Sequence, residues 1–372
     1  MRIVIALAGI TLLVAAAAVI PCLMHAGEVS SGSGYTLLSP IRSGNLTVFP
    51  VVASKSYDTG EFLTLDEGLK TGEVVVTEAG QARGLIRRRP PHPVPPNAYP
   101  VRDGEVNRLV LVNNSKRPLL LLAGEIVTGG KQDRVIGKDR IVPAESDPVD
   151  LSVFCVEPGR WIPTKGRYEF GNLNGSSVGM LAAPAVRSKA MGAKDQQQVW
   201  DNVRSQQRSM AENVTVEASA AEINSTTSYA RVMQNDEVQK KVASVAEPLQ
   251  RNYESLIRQL RDKNAVGVVV AVNGDIVWAD LFASTQLLQK YWPKLVRSYA
   301  TEAVVTRAKA GEVGIKEAQK FLDELGGRHE TADIEPGVYR QSEIAGDGFR
   351  VFELTSLLPK TGFTVHVAKM AE

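Results

Sequence analysis

The chain has 372 residues, 44% of them hydrophobic, with 43 Lys and Arg against 41 Asp and Glu. A formal charge of +2 leaves no electrostatic footprint for nucleic acid. The 2 cysteines and 4 scattered histidines give neither a disulfide framework nor a zinc-ligand spacing, so stability rests on an ordinary core, which this length can supply.

The chain opens Met1-Arg2, runs apolar over residues 3–20, breaks at Pro21 and reaches the small residue Ala26. A positive start, an apolar stretch and a small-residue exit read as a signal peptide over residues 1–26. The expected protein is therefore exported, periplasmic or secreted. The apolar run approaches the ~20 residues that span a bilayer, so an uncleaved anchor through residues 3–20 is the alternative. Cys22 suggests lipidation, but Pro21 stands where a lipoprotein signal needs a small residue. After cleavage Cys155 would be the one cysteine left. Residues 27–34 are a Gly/Ser-rich linker, and one extended globular domain over 35–372 is expected to follow.

Residues 35–161 read as β-rich. Strands are predicted over residues 46–52, 73–78, 108–112, 119–122, 134–136, 139–142 and 150–156. The four leucines at 119–122, between Pro118 and Gly124, predict a strand buried on both faces. Prolines across residues 87–100 forbid helix interior and ladder pairing and predict a surface loop of polyproline character.

The middle, residues 190–263, reads as helical. Residues 195–212 are Gln-rich, with Val199, Trp200 and Val203 as an apolar stripe. Over residues 236–260, Val238, Val242, Val245, Leu249, Tyr253, Leu256 and Leu260 recur at helical spacing, and Pro248 is expected to kink or divide the helix. From 264 onward a hairpin over 266–280 turns at Asn273-Gly274. Helices follow over 285–308 and 316–325, the second ended by Gly326-Gly327, then strands over 349–354 and 363–368. The expected class is α+β: a β-rich sandwich or barrel-like core, a long helical insertion, and packed C-terminal helices.

Residues 121–143 are denser in polar punctuation than a core needs. Glu125 follows a buried-looking strand. Gly129-Gly130 leads into Lys131, Gln132, Asp133 and Arg134, and a second charged turn ends at Arg140. Lys and Arg bind anions, and Gln reads an amide or hydroxyl. Downstream, Cys155, Glu157, Arg160 and Trp161 fall within a few positions. One reading is a pair of charged hairpin turns, a structural Cys155 and an Arg160–Trp161 pair pinning a loop. The other is a pocket in which Glu125, Gln132, Arg134, Glu157 and Arg160 converge, with Glu125 or Glu157 as acid/base and Cys155 as a nucleophile. Lys131, Arg140 and Trp161 complete the candidate binding set. Asp280 reads as a helix-start carboxylate, and Glu302 as solvated or paired with Arg297. No Walker loop, dinucleotide fingerprint or nucleophile elbow is present, and no cofactor or metal is expected.

Residues 106–143 (with GGKQDR), 154–161 (with CVEPGRW), 265–282 and 289–303 together resemble the ARG and rhodanese-phosphatase-superfamily-associated protein domain family. The resemblance covers nearly the whole of residues 35–371. It implies one extended domain and a genomic association with ADP-ribosylglycohydrolase and phosphatase proteins, hence handling of ADP-ribose or related nucleotides. It supplies no catalytic residue set.

Three functional expectations follow. The first is a small-molecule or structural binding module outside the cytoplasm. The second is a hydrolase or transferase acting on ADP-ribose-like or other phosphorylated small molecules. The third is a protein-docking role for the proline loop and the Gln-rich helix. The expected partner is an anionic or nucleotide-like small molecule, with membrane contact only through an uncleaved N-terminal segment.

Overall fold

The computed structural model describes residues 29–30, 34–78, 108–159, 169–171, 179–259 and 263–372. The expected signal segment, most of the linker, the proline-rich stretch, Arg160, Trp161 and Leu260 lie outside these residues.

A 10-stranded antiparallel sheet joins the two ends of the chain. Its central strand, Asn264–Val272, pairs on one side with Leu46–Ala53 and on the other with its hairpin partner Asp275–Phe282. Asn273 and Gly274 turn the hairpin at φ 56° and 87°, the left-handed pair that a tight two-residue turn needs. Thr364–Ala371, Phe349–Ser356, Tyr339–Ala345 and Arg328–Glu335 extend the sheet in that order. Both faces are covered, which explains the unbroken apolar run at 265–272. Val268, Val270 and Val272 face a cluster with Val238, Val242, Leu249 and Tyr253 of helix Asp236–Gln259 and Leu287, Leu288 and Leu295 of helix Thr285–Val305. Val266, Val269 and Ala271 pack with Ala318 and Leu322 of helix Ile315–Asp323.

The second unit is a ring. Arg134–Ile136, Val149–Cys155, Arg108–Asn113, Val74–Glu78, Glu169–Gly171 and Glu125–Gly129 pair in sequence, and Glu125–Gly129 pairs back onto Arg134–Ile136. Val74, Val76, Leu109, Leu111, Val127, Leu151 and Val153 form one cluster with Leu119 and Leu121. Leu120 and Leu122 instead belong to the cluster under the large sheet. The strand Leu119–Leu121 is thus buried on both faces, as its sequence predicts, and fastens the ring to the sheet. Full burial of each leucine contributes on the order of 2 kcal/mol. The molecule is an α+β protein with a barrel-like β unit, as expected.

Four local expectations are corrected. Of the two outcomes expected at Pro248, division does not occur: helix Asp236–Gln259 runs through it, because its buried stripe packs on the sheet regardless of one lost backbone bond. Helix Ile315–Asp323 ends before the two glycines, where the Lys369 ammonium takes the Phe321 and Glu324 carbonyls. Strands Arg328–Glu335 and Tyr339–Ala345 have no counterpart among the predicted elements. The first is exposed at every residue, an edge strand carrying charges rather than alternation. Asp280 does not start the following helix. Ser284 caps it, accepting the Leu287 N–H at 3.0 Å, and Asp280 is buried elsewhere. Among the described residues no helix is long and apolar enough to cross a membrane.

Candidate functional site

A groove of about 350 Å³ opens beside the ring, where the end of strand Val149–Cys155 meets two short helices, Glu217–Ser225 and Tyr229–Gln234. Glu157 and Gly159 line one side. Glu222, Ser225, Thr226, Thr227, Arg231 and Asn235 line the other. Buried and partly buried hydrogen bonds order the surrounding segments. The Glu157 carboxylate accepts the Asp133 N–H at 3.2 Å, and its carbonyl accepts the Gln132 amide at 3.0 Å. Ser228 donates to Asp133 Oδ2 at 2.7 Å and accepts the Arg231 N–H at 3.1 Å. The Gln207 amide clamps the carbonyls of Ile223 and Thr226 at 2.7 and 2.5 Å. The Asn235 side-chain amide donates to Glu222 Oε2 at 2.6 Å, while its Oδ1 accepts the Glu237 N–H of the next helix at 3.1 Å.

The sequence candidates divide among three places. Gln132, Arg134, Cys155 and Glu157 come together on the ring: Arg134 sits opposite Cys155 in register, and Gln132 and Asp133 bond to Glu157. Lys131 adjoins them, its backbone N–H on Glu78 Oε1 at 2.8 Å. Of these, Glu157 lines the groove. Cys155 is fully buried, and burial pushes its thiol up to about 11, with Arg134 opposing only in part. The side chain of Gln196 brackets its backbone at 2.8 and 2.9 Å.

Glu125 lies apart, with both carboxylate oxygens in use. One accepts the Leu122 N–H at 2.7 Å, and the other meets the Lys294 ammonium, which also binds Asp66 at 2.9 Å. Burial works against the charge on Lys294, but Glu125 and Asp66 outweigh it and raise its pKa. Arg140 is at a third place, donating to the Asp150 carbonyl at 2.6 Å and lying 3.7 Å from Glu335 of the edge strand. Arg160 and Trp161 lie outside the described residues.

The strongest charge constellation has no counterpart in the sequence reading. At the junction of the ring and the large sheet, Asp280 receives Arg187 through two bonds of 2.9 and 3.0 Å and also accepts the Tyr299 hydroxyl. His366 bridges Asp139 at 2.6 Å and Asp280 at 3.2 Å. Asp139, Arg187, Asp280 and His366 are all 0% exposed. Burial disfavours a charged His366, but Asp139 and Asp280 outweigh it and raise its pKa to about 9. Gly124 backs the guanidinium at φ +95°, and a Cβ there would meet Arg187 Cγ at 2.5 Å. A set with an acid, an imidazole and a hydroxyl has the parts for proton transfer, but no substrate reaches a sealed one. Its geometry fastens the ring to the sheet. Glu302 is half-buried, accepting the Ala185 N–H at 3.0 Å rather than pairing with Arg297. The missed groove residues carried one local signal: Asn235 before Asp236-Glu237 is a helix N-cap pattern.

Fold and groove together define an α+β architecture of a ring and a two-sided sheet locked by buried ion pairs, with a polar groove beside the ring. The chain belongs to the ARG and Rhodanese-Phosphatase-superfamily-associated Protein domain family, whose model matches residues 34–370. No curated protein and no solved structure matches it.

Proposed function

We propose that this chain is a small-molecule-binding module, carried out of the cytoplasm by its N-terminal segment, with its ligand in the groove at Glu157 and Arg231. The observation that carries this reading is the groove's lining. Polar side chains from several elements meet in one concavity of about 350 Å³, a size in the range of ligand pockets, and hydrogen bonds hold those of Glu157, Glu222 and Asn235 before any ligand arrives. The buried Asp139–His366–Asp280–Arg187 cluster is structural in this reading, so binding without turnover is the simpler role.

A second reading, a hydrolase or transferase of ADP-ribose-like or other phosphorylated molecules, is favoured by Glu157. It is a carboxylate 5% exposed at the groove wall, the type of group a general base requires. The family description, with its association to phosphatase-superfamily proteins, points the same way.

A thermal-shift screen of the purified chain tests both. Ligands are ADP-ribose, NAD, nucleotides, sugar phosphates and amino acids at millimolar concentration. Binding predicts a concentration-dependent rise in Tm that Arg231→Ala reduces. A turnover assay on every stabilising compound, with Glu157→Gln alongside, separates module from enzyme. No stabilisation by any class would remove both readings. Export predicts a mature N-terminus at Gly27 in the extracytoplasmic fraction, whereas Met1 at the start of membrane-bound protein would favour the anchor.

A further inference from the structure

Glu222 and Arg231 line the same groove with opposite charges, yet they form no ion pair with each other. Among the described residues, Arg231 forms no ion pair at all, and its side chain is exposed. The separation is built in. The Glu222 carboxylate is held by the Asn235 amide at 2.6 Å, and Asn235 is itself 5% exposed and fixed as a helix cap. The backbone of Arg231 is tied through Ser228 to Asp133, on the ring side. A groove that keeps a carboxylate and a guanidinium apart is complementary to a molecule bringing both counter-charges.

We propose that the groove selects a zwitterion, an amino acid or a dipeptide with free ends, whose ammonium meets Glu222 and whose carboxylate meets Arg231. This rests on the small-molecule reading of the groove and narrows it. Charge-assisted hydrogen bonds at both ends supply affinity. A purely anionic ligand would gain Arg231 but face the like charge of Glu222, a cost that selects against it. The hydroxyls of Ser225 and Thr227 are neutral partners for what lies between the ends.

Calorimetric titration of the full-length protein tests this, using the common amino acids, dipeptides, sugar phosphates and nucleotides as probes. The expected result is saturable binding of a free amino acid or dipeptide. N-acetylation, C-terminal amidation, Glu222→Gln and Arg231→Gln should each weaken it about tenfold or more. Both substitutions are at exposed positions, so an unchanged Tm without ligand will accompany them. Binding of a sugar phosphate or nucleotide that depends on Arg231 and ignores Glu222→Gln would overturn the zwitterion and keep the binding module. Absence of binding by every probe at millimolar concentration would overturn both.

Discussion

His366 shows how one side chain couples folding to pH. Its ordinary pKa is 6.5, and Asp139 and Asp280 raise it to about 9 in the folded protein. A raised pKa means that the folded state holds the proton more tightly. The stabilisation is complete below pH 6.5 and is lost as pH rises through about 9, a change on the order of 3 kcal/mol. Urea unfolding across this window should show stability falling with pH in the native chain, and a flatter profile in His366→Gln. None of this was legible locally. His366 and Asp139 are 227 residues apart, and Asp280 in sequence looks like a helix-start residue. Cys155 is the opposite case: its apolar neighbours already suggest a small buried hydrophobe. With the thiol buried and pushed up to about 11, it should react with a thiol reagent at pH 8 only when urea unfolds the chain. Rapid labelling of Cys155 in the folded protein, located by peptide mapping, would contradict this.

At the scale of the element, helix Thr285–Val305 carries most of what the sequence hid. Its apolar side was legible from Leu287, Leu288 and Leu295. Its polar side suggested solvent, but the helix is sandwiched and that side faces the ring. Tyr291 donates to the Leu120 carbonyl at 2.9 Å, Lys294 holds Glu125 and Asp66, Ser298 donates to the Ala182 carbonyl at 2.6 Å, and Glu302 accepts the Ala185 N–H. These residues recur at three- and four-residue spacing, so a buried polar stripe looks in sequence like a solvated one. Lys294→Met would strand two carboxylates against an apolar group and should cost about 3–5 kcal/mol, read as a shift in the urea midpoint. A shift below about 1 kcal/mol would mean that the pair is not what joins helix and ring. Edge strands were hidden for a related reason: Arg328–Glu335 has no inner face to impose alternation.

For the whole molecule, the class and most strands were legible because burial dictates their composition: the four leucines, the hairpin at Asn273-Gly274, the long apolar stripe of helix Asp236–Gln259. The ring's closure was not, since the pairing of Glu125–Gly129 with Arg134–Ile136 leaves no mark on composition. The groove was half legible. Glu157 and its neighbours stood out as polar punctuation, but Glu222, Arg231 and Asn235 come from a helical segment whose folding against the ring is a tertiary event. That meeting of a β-turn wall and a helical wall is the basis for the proposed ligand site. The most direct test is a backbone NMR titration of the protein with the best ligand from the binding screens. Saturable shifts should concentrate at Glu157, Gly159 and residues 222–235, and weaken in Arg231→Ala. Shifts confined to other surfaces, or none at saturating ligand, would contradict the assignment of the groove.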